Sequence, residues 1–304
     1  MSHVRLMLGY FHPWPNDTGY YVASAEGWYR EAGLDVELTV PDPLRGDALS
    51  YLSRGEVDLA VFPANRLLVR REQGERLVAV AAVNHVQMET FLTTRSSGIE
   101  RPRDLAGRRL ALNPTPRGRA MVRHLVAGDG GDPDAVIEVD SGVRELTVDD
   151  LADGAADASF GTYWAWDVLI PTRLPVEQQR VLRLADIPDA PGYHSYQLGT
   201  QEHLVERNPR LVEAFLAATE RGFRAAAEDP ERALATLERV AAYFPRPMLR
   251  RSLELIAPTW FHDGRWGVQR DELVHGYARW LAEVGVLRSA GAATGAATNA
   301  HLAP

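Results

Sequence analysis

The chain has 304 residues, 45% of them hydrophobic, which is enough for two α/β lobes with cores of their own. Its 41 acidic side chains outnumber the 33 basic ones, for a net charge of −8; this argues against nucleic-acid binding, and no apolar run approaches the ~18–20 residues of a membrane span. It has no cysteine, and because every basic residue is arginine it has no lysine either, which excludes disulfides, thiolate nucleophiles, Cys-ligated zinc, lysine Schiff bases and a Walker A lysine.

The N-terminus enters a strand pattern at once, Val4 to Tyr10, without a basic leader and apolar segment. That favours a cytoplasmic protein, or a periplasmic or lipid-anchored surface protein if a leader has been removed. A helix is predicted from Tyr20 to Ala32, closed by Gly33, then a strand from Asp35 to Val40. Gly46 to Arg54 reads as helix, Val57 to Val61 as strand and Ala64 to Gln73 as helix. Leu77 to Val83 and Phe91 to Thr94 read as strands. This βαβ rhythm implies a sheet with parallel neighbours.

After Ser96-Ser97-Gly98 the pattern restarts. It gives a strand at Arg109–Asn113, a helix at Ala120–Ala127, a strand at Val136–Val139, a short helix at Val148–Asp153 and a strand at Ala156–Gly161. The chain crosses back near Gly192–Thr200 and ends in helices at about 203–227, 231–243, 246–257 and 270–284. Lobe I is therefore expected at 1–94 plus 197–288, with lobe II inserted at 95–196. Residues 289–304, small and polar, are expected to be disordered.

The run Pro13, Asn16, Thr18, Gly19, Tyr21, Val22, Ala23, followed by GWYREAGLDVEL, resembles the start of the ThiY/SsuA-type substrate-binding proteins of ABC transporters. That family includes receptors for thiamine pyrimidine precursors. The segment from Tyr51 to Val83, with its G-x-V-D-x-x-V run, fits the family's next block, and LAGRRLALN and YWAWD fit its second lobe. The resemblance implies a two-lobed type II periplasmic-binding-protein fold. Each lobe is then a mainly parallel sheet flanked by helices, with a ligand cleft between lobes and an ABC permease as partner. The fungal pyrimidine synthase of the same superfamily needs a Lys-x-x-x-His that falls here on Phe62-Pro63-Ala64-Asn65-Arg66, and a related desulfinase needs a cysteine; both chemistries are excluded. The formylaminopyrimidine-binding type is the more similar one. Its Tyr-Trp-x-x-acid segment reads Tyr163-Trp164-Ala165-Trp166-Asp167 here, with the shorter Asp in place of Glu.

Each constellation has two readings. In the first loop, Asn16, Asp17 and Thr18 either cap the next helix while Trp14 joins the core, or Trp14 stacks on a flat ligand whose edge Asn16 bonds, with Tyr21 beside them. Tyr163, Trp164, Trp166 and Asp167 form either a lobe-interface cluster or pocket walls in which Asp167 accepts from a ligand N–H. Thr115, Arg117 and Gly118, at the start of a helix, support an anion or lie on a solvated loop. Asn65 is an N-cap or, with Phe62 and Arg66, faces the cleft. His85 and His194 are pocket donors, general bases or satisfied hinge histidines. No His or carboxylate spacing points to a metal, and no cofactor is expected. Two functions follow: a binding protein that closes on a flat, nitrogen-containing, pyrimidine-like ligand, or a cytoplasmic lyase or hydrolase that works through Asp167, His85, His194 or His12.

Overall fold

The structure, a computed structural model, describes residues 1–142 and 145–303. In chain order the elements begin with β1 (Ser2–Met7), α1 (Thr18–Ala25), α2 (Trp28–Glu31), β2 (Leu34–Thr39), α3 (Ala48–Ser53), β3 (Leu59–Pro63), α4 (Ala64–Glu72) and β4 (Leu77–Ala82). They continue with β5 (Glu89–Thr94), β6 (Arg109–Leu112), α5 (Pro116–Gly128), β7 (Ile137–Asp140), α6 (Val148–Ala152), β8 (Ala158–Tyr163), α7 (Trp164–Asp167) and β9 (Gln179–Arg183). The chain closes with β10 (Tyr196–Gln201), α8 (Glu202–Arg207), α9 (Pro209–Glu228), α10 (Pro230–Val240), α11 (Arg246–Ile256), β11 (Phe261–His262), β12 (Arg265–Trp266) and α12 (Asp271–Glu283).

Two compact units result, one from Met1–Val86 together with the chain from Tyr193 onward, the other from Gln87–Gly192. The expected boundaries after 94 and 196 shift for a definite reason. Strand β5, assigned from sequence to the first lobe, hydrogen-bonds to β8 and β9 in the second unit's sheet. Segment 193–196 belongs with the first unit, where Tyr196 opens β10 opposite Pro63.

The first unit's sheet has the order β2-β1-β3-β10-β4. β1 runs parallel to β2 and β3, whereas β10 is antiparallel to both β3 and β4. Strands β3 and β4 read as near-continuous apolar runs because both of their faces are covered, and all six residues of β4 are buried. The second unit repeats the plan as β7-β6-β8-β5-β9, with β6 parallel to β7 and β8, and β5 antiparallel to β8 and β9. In each sheet the strand that follows a crossing runs against its neighbours.

Helix α9 places Val212, Phe215, Leu216, Thr219, Gly222, Phe223 and Ala226 on one buried stripe at helical spacing and lays it on α1. The approach is close enough that a Cβ on Gly222 would lie 2.0 Å from the Gly19 carbonyl oxygen. The single helix expected at 20–32 is instead α1 and α2, because Gly27 adopts φ of 77°, a left-handed conformation that ends the first helix. The helix expected from 203 divides into α8 and α9 at Asn208, which precedes a proline and leaves the helical region.

Residues 289–303 are packed on the first unit, contrary to the expectation of disorder for 289–304, of which residue 304 lies outside the described residues. Ala79 donates to the Ala296 carbonyl at 2.8 Å and accepts from Thr298 at 3.0 Å, so the tail covers the edge of β4, with Ala293 and Ala296 buried. Two elements carry too little sequence signal to have been expected. One is β9, whose five residues alternate weakly, and the other is the hairpin β11–β12, turned by Asp263-Gly264 with both residues at positive φ.

Candidate functional site

Parallel sheets present ligands at the carboxyl ends of their strands, and each unit gathers polar and aromatic side chains there. In the first unit β1 leaves the sheet at Gly9, where a Cβ would lie 2.7 Å from the Tyr196 ring. The loop then turns Trp14 inward, to 1% exposure, within 6.0 Å of the Tyr10 ring. Asn16 is equally buried, and its amide is engaged with protein groups: Asn16 Nδ2 donates to Asn84 Oδ1 at 3.2 Å. Asn16 Oδ1 accepts from Asn84 Nδ2 at 2.8 Å and from Trp260 Nε1 at 3.1 Å. Asn84 Nδ2 also donates to Thr259 Oγ1 at 2.8 Å. These bonds tie the first loop to the end of β4 and to the turn before β11.

The capping reading of this loop holds only in position, since Asp17 stands at the N-cap of α1 but makes no side-chain cap bond. Thr18 Oγ1 donates back to the Pro15 carbonyl at 2.5 Å. Burial pushes the Asp17 carboxyl well above the usual range. The aromatic face that the loop shows to solvent belongs to other residues. Phe11 is 43% and Tyr243 54% exposed, and the rings run Tyr10–Phe11 (4.3 Å), Phe11–His12 (4.5 Å) and His12–Tyr243 (5.5 Å). Tyr243 Oη lies 3.3 Å from both His12 Nδ1 and the Pro13 carbonyl. Tyr21, half-buried on α1, has its phenol pKa raised by burial and by Asp17 and Tyr243.

His85 and His194 flank the two crossings. His194 is fully buried: its Nδ1 lies 3.2 Å from the Asn84 carbonyl, and its Nε2 accepts from the Arg270 backbone N–H at 3.1 Å. These two contacts select the neutral Nδ1–H tautomer. His85 donates its backbone N–H to the Thr259 carbonyl at 2.8 Å, and its own carbonyl accepts from Arg270 Nη2 at 2.8 Å. The His85 ring stacks on His262 at 5.8 Å and meets His194 edge-on at 5.4 Å. Burial first, then neighbouring positive charge, pushes His85 down to about 4 and His194 down to about 3. His194 thus has both ring nitrogens engaged, whereas neither ring nitrogen of the buried His85 has a hydrogen-bond partner among the described residues.

Phe62 is buried in the core, and Asn65 lies inside α4, which starts at Ala64, so Asn65 is not its cap. Arg66 is exposed and pairs with Asp47 at 2.9 Å.

In the second unit the carboxyl end of β8 leads directly into α7. Glu89, opposite Tyr163 in the sheet, holds Arg117 with both carboxylate oxygens: Arg117 Nη1 donates to Oε1, and Nη2 to Oε2 at 2.6 Å. Both side chains are largely buried. Thr115 caps α5, its Oγ1 accepting from the Gly118 N–H at 3.1 Å, so the first turn of the helix is partly satisfied from within. Trp164 is buried, its indole N–H has no hydrogen-bond partner among the described residues, and the Arg183 guanidinium lies 4.7 Å over its ring. Thr162 Oγ1 donates to Asp167 Oδ2 at 3.0 Å and lies 3.0 Å from Thr90 Oγ1, a short relay that fixes the carboxyl. Although Asp167 keeps some exposed surface, dense packing first and Glu145 second push its carboxyl up to about 8. At neutral pH it is therefore largely protonated, able to donate as well as accept, whereas the sequence suggested a plain acceptor.

The second unit thus brings Arg117, Tyr163, Trp164 and Asp167 to one end of one sheet. In the first unit Asn16 and His194 contact Asn84, His85 follows it in the chain, and Trp14 is buried beside Tyr10, while Phe62 lies in the core and Arg66 pairs with Asp47. Sequence reasoning passed over Glu89, the Thr90–Thr162 pair, Arg183, Tyr243 and Asn84. Of these only Asn84 carried a local sign, a polar residue closing the apolar run Leu77–Val83. Among the described residues no cluster of three or more His, Cys, Asp or Glu could hold a metal, and no helix is long and apolar enough to cross a membrane.

A family model described as NMT1/THI5 like matches residues 14–233. The chain belongs to the NMT1/THI5-like family. Over 241 residues it is 27% identical to the formylaminopyrimidine-binding protein of Halalkalibacterium halodurans, a match covering 78% of this chain and 70% of that protein. Its fold is shared with the periplasmic aliphatic sulphonate binding protein SsuA of Escherichia coli, at a TM-score of 0.75 and 15% identity over 97% of this chain and 92% of that one. It is shared likewise with the alkanesulfonate-binding protein SsuA of Xanthomonas axonopodis pv. citri, solved with bound MOPS. There the TM-score is 0.72 at 14% identity, with 100% and 99% of the two chains covered. These neighbours establish a two-domain periplasmic-binding-protein fold. The family match takes in Asn16 and the whole Tyr163–Asp167 segment, whereas Tyr243 lies beyond it.

Proposed function

We propose that this NMT1/THI5-like protein is a solute receptor for a flat, nitrogen-rich heterocycle of the formylaminopyrimidine kind, which it hands to an ABC permease at the outer face of a membrane. The observation that carries the reading is the second unit's wall, Tyr163-Trp164 with Asp167, inside a chain related to a formylaminopyrimidine-binding protein. The part-exposed Tyr163 phenol offers flat apolar contact to a heteroaromatic ring, backed by the buried Trp164 with Arg183 over its indole. A carboxyl that is half protonated near pH 8 and held by Thr162 serves a ring edge that alternates donors and acceptors. Family membership alone does not decide the ligand; the chemistry of this wall supports the pyrimidine class.

Thermal-shift and calorimetric titration with a formylaminopyrimidine, other aminopyrimidines and linear amines tests the reading. Saturable binding of the pyrimidines, weakened at least tenfold by Trp164→Ala and by Asp167→Leu, is the expected result. Pyrimidine binding that both substitutions leave unchanged would remove the site from this wall, and a failure of every planar heterocycle to bind would remove the ligand class.

A further inference from the structure

The start of α5 has the ingredients of an anion site, with Arg117 in its first turn and helix N–H groups alongside. In this chain that capacity is used internally. Glu89 meets both Nη groups of Arg117, with Nη2 to Oε2 at 2.6 Å, and both side chains are largely buried, Arg117 at 9% and Glu89 at 15% exposure. Thr115 Oγ1 takes the Gly118 N–H. Glu89 owes its place to the topology: it is the first residue of β5, the antiparallel strand, and so lies opposite Tyr163 at the end of the sheet where Trp164 and Asp167 also emerge.

We infer that Glu89 is a specificity residue: it occupies Arg117 as a built-in anion and so makes this protein reject ligands that carry a sulfonate, carboxylate or phosphate at that position. This deepens, and rests on, the pyrimidine-receptor reading. A ligand anion near Arg117 has to displace a buried bidentate carboxylate and then lie against it, two like charges at close range. A neutral heterocycle meets no such opposition. Specificity here comes from a repulsive element as well as from attractive contacts. The sulfonate-binding proteins that share the fold make sulfonates the natural probe.

The test titrates the intact protein with MOPS, an alkanesulfonate and a formylaminopyrimidine, comparing wild type with Glu89→Gln and Glu89→Gln/Arg117→Gln. The wild type is expected to show no saturable sulfonate binding up to about ten millimolar. Glu89→Gln should gain sulfonate affinity at least tenfold, and the double variant should lose that gain. A folded Glu89→Gln protein with wild-type sulfonate affinity overturns the inference, as does submillimolar sulfonate binding by the wild type, a measurement that needs no variant. Loss of pyrimidine binding by the wild type together with a sulfonate gain in Glu89→Gln would overturn the receptor reading and leave the role of Glu89 standing.

Discussion

Replacing Asn84 with alanine removes a fully buried amide that makes three side-chain hydrogen bonds: Oδ1 accepts from Asn16, while Nδ2 donates to Asn16 and to Thr259. Asn16 Oδ1 keeps its bond from Trp260 Nε1, and Thr259 Oγ1 keeps its donation to the Ile256 carbonyl at 2.7 Å, so neither oxygen is stranded. The Asn16 Nδ2 group, by contrast, loses its acceptor inside the protein. A buried donor without a partner costs roughly 1–3 kcal/mol, and each net hydrogen bond lost adds about 1 kcal/mol. With partial relaxation, a loss of about 3 kcal/mol is expected. Urea unfolding followed by tryptophan fluorescence reads it as a lowered midpoint at unchanged slope. Asn65→Ala, at a half-buried position in the first turn of α4, serves as control and is expected to change stability by less than about 1 kcal/mol. A loss below about 1 kcal/mol for Asn84→Ala would show that the Asn16 amide is not held by this network, and would restore Asn16 as a group available to a ligand.

His85 and His194 both have folded pKa values below the ordinary 6.5, so the unfolded chain binds their protons first and stability falls as pH drops from about 6.5 toward 4. At about 1.4 kcal/mol per pH unit for each group, a loss of several kcal/mol is expected across that window, and His194→Asn should flatten the profile of midpoint against pH. Asp167 has the opposite sign. With its carboxyl raised to about 8, it contributes stability in full below 3.8 that is lost as pH climbs toward 8, so Asp167→Asn should raise the midpoint at pH 8 and leave it nearly unchanged at pH 4. Gly222→Ala drives a methyl to within 2.0 Å of the Gly19 carbonyl oxygen; separation of α1 from α9 and a loss above about 2 kcal/mol are expected by calorimetry. Deleting residues 294–304 strips the backbone partners from Ala79 and the Asn299 contacts from Gln269, and should lower the thermal midpoint rather than leave it unchanged as removal of a loose tail would.

The sequence by itself determined the α/β class, the order of most elements and the family, because apolar periodicity and a few spaced residues such as Asn16, Gly19 and Tyr163–Asp167 are local properties of the chain. Its lack of cysteine and lysine settled which covalent chemistries are closed, a matter of composition alone. Boundaries and roles depended on partners distant in the chain. Whether the Asn16 amide faces ligand or protein turns on Asn84 and Trp260, which lie about 70 to 245 residues downstream of the loop. The alanine-rich tail reads as disordered until the edge of β4 offers it backbone groups to bond. Arg117 reads as an anion site until an antiparallel strand places Glu89 against it. Hydrogen-bond satisfaction and charge pairing are long-range properties, so only the tertiary structure decided how these side chains are used.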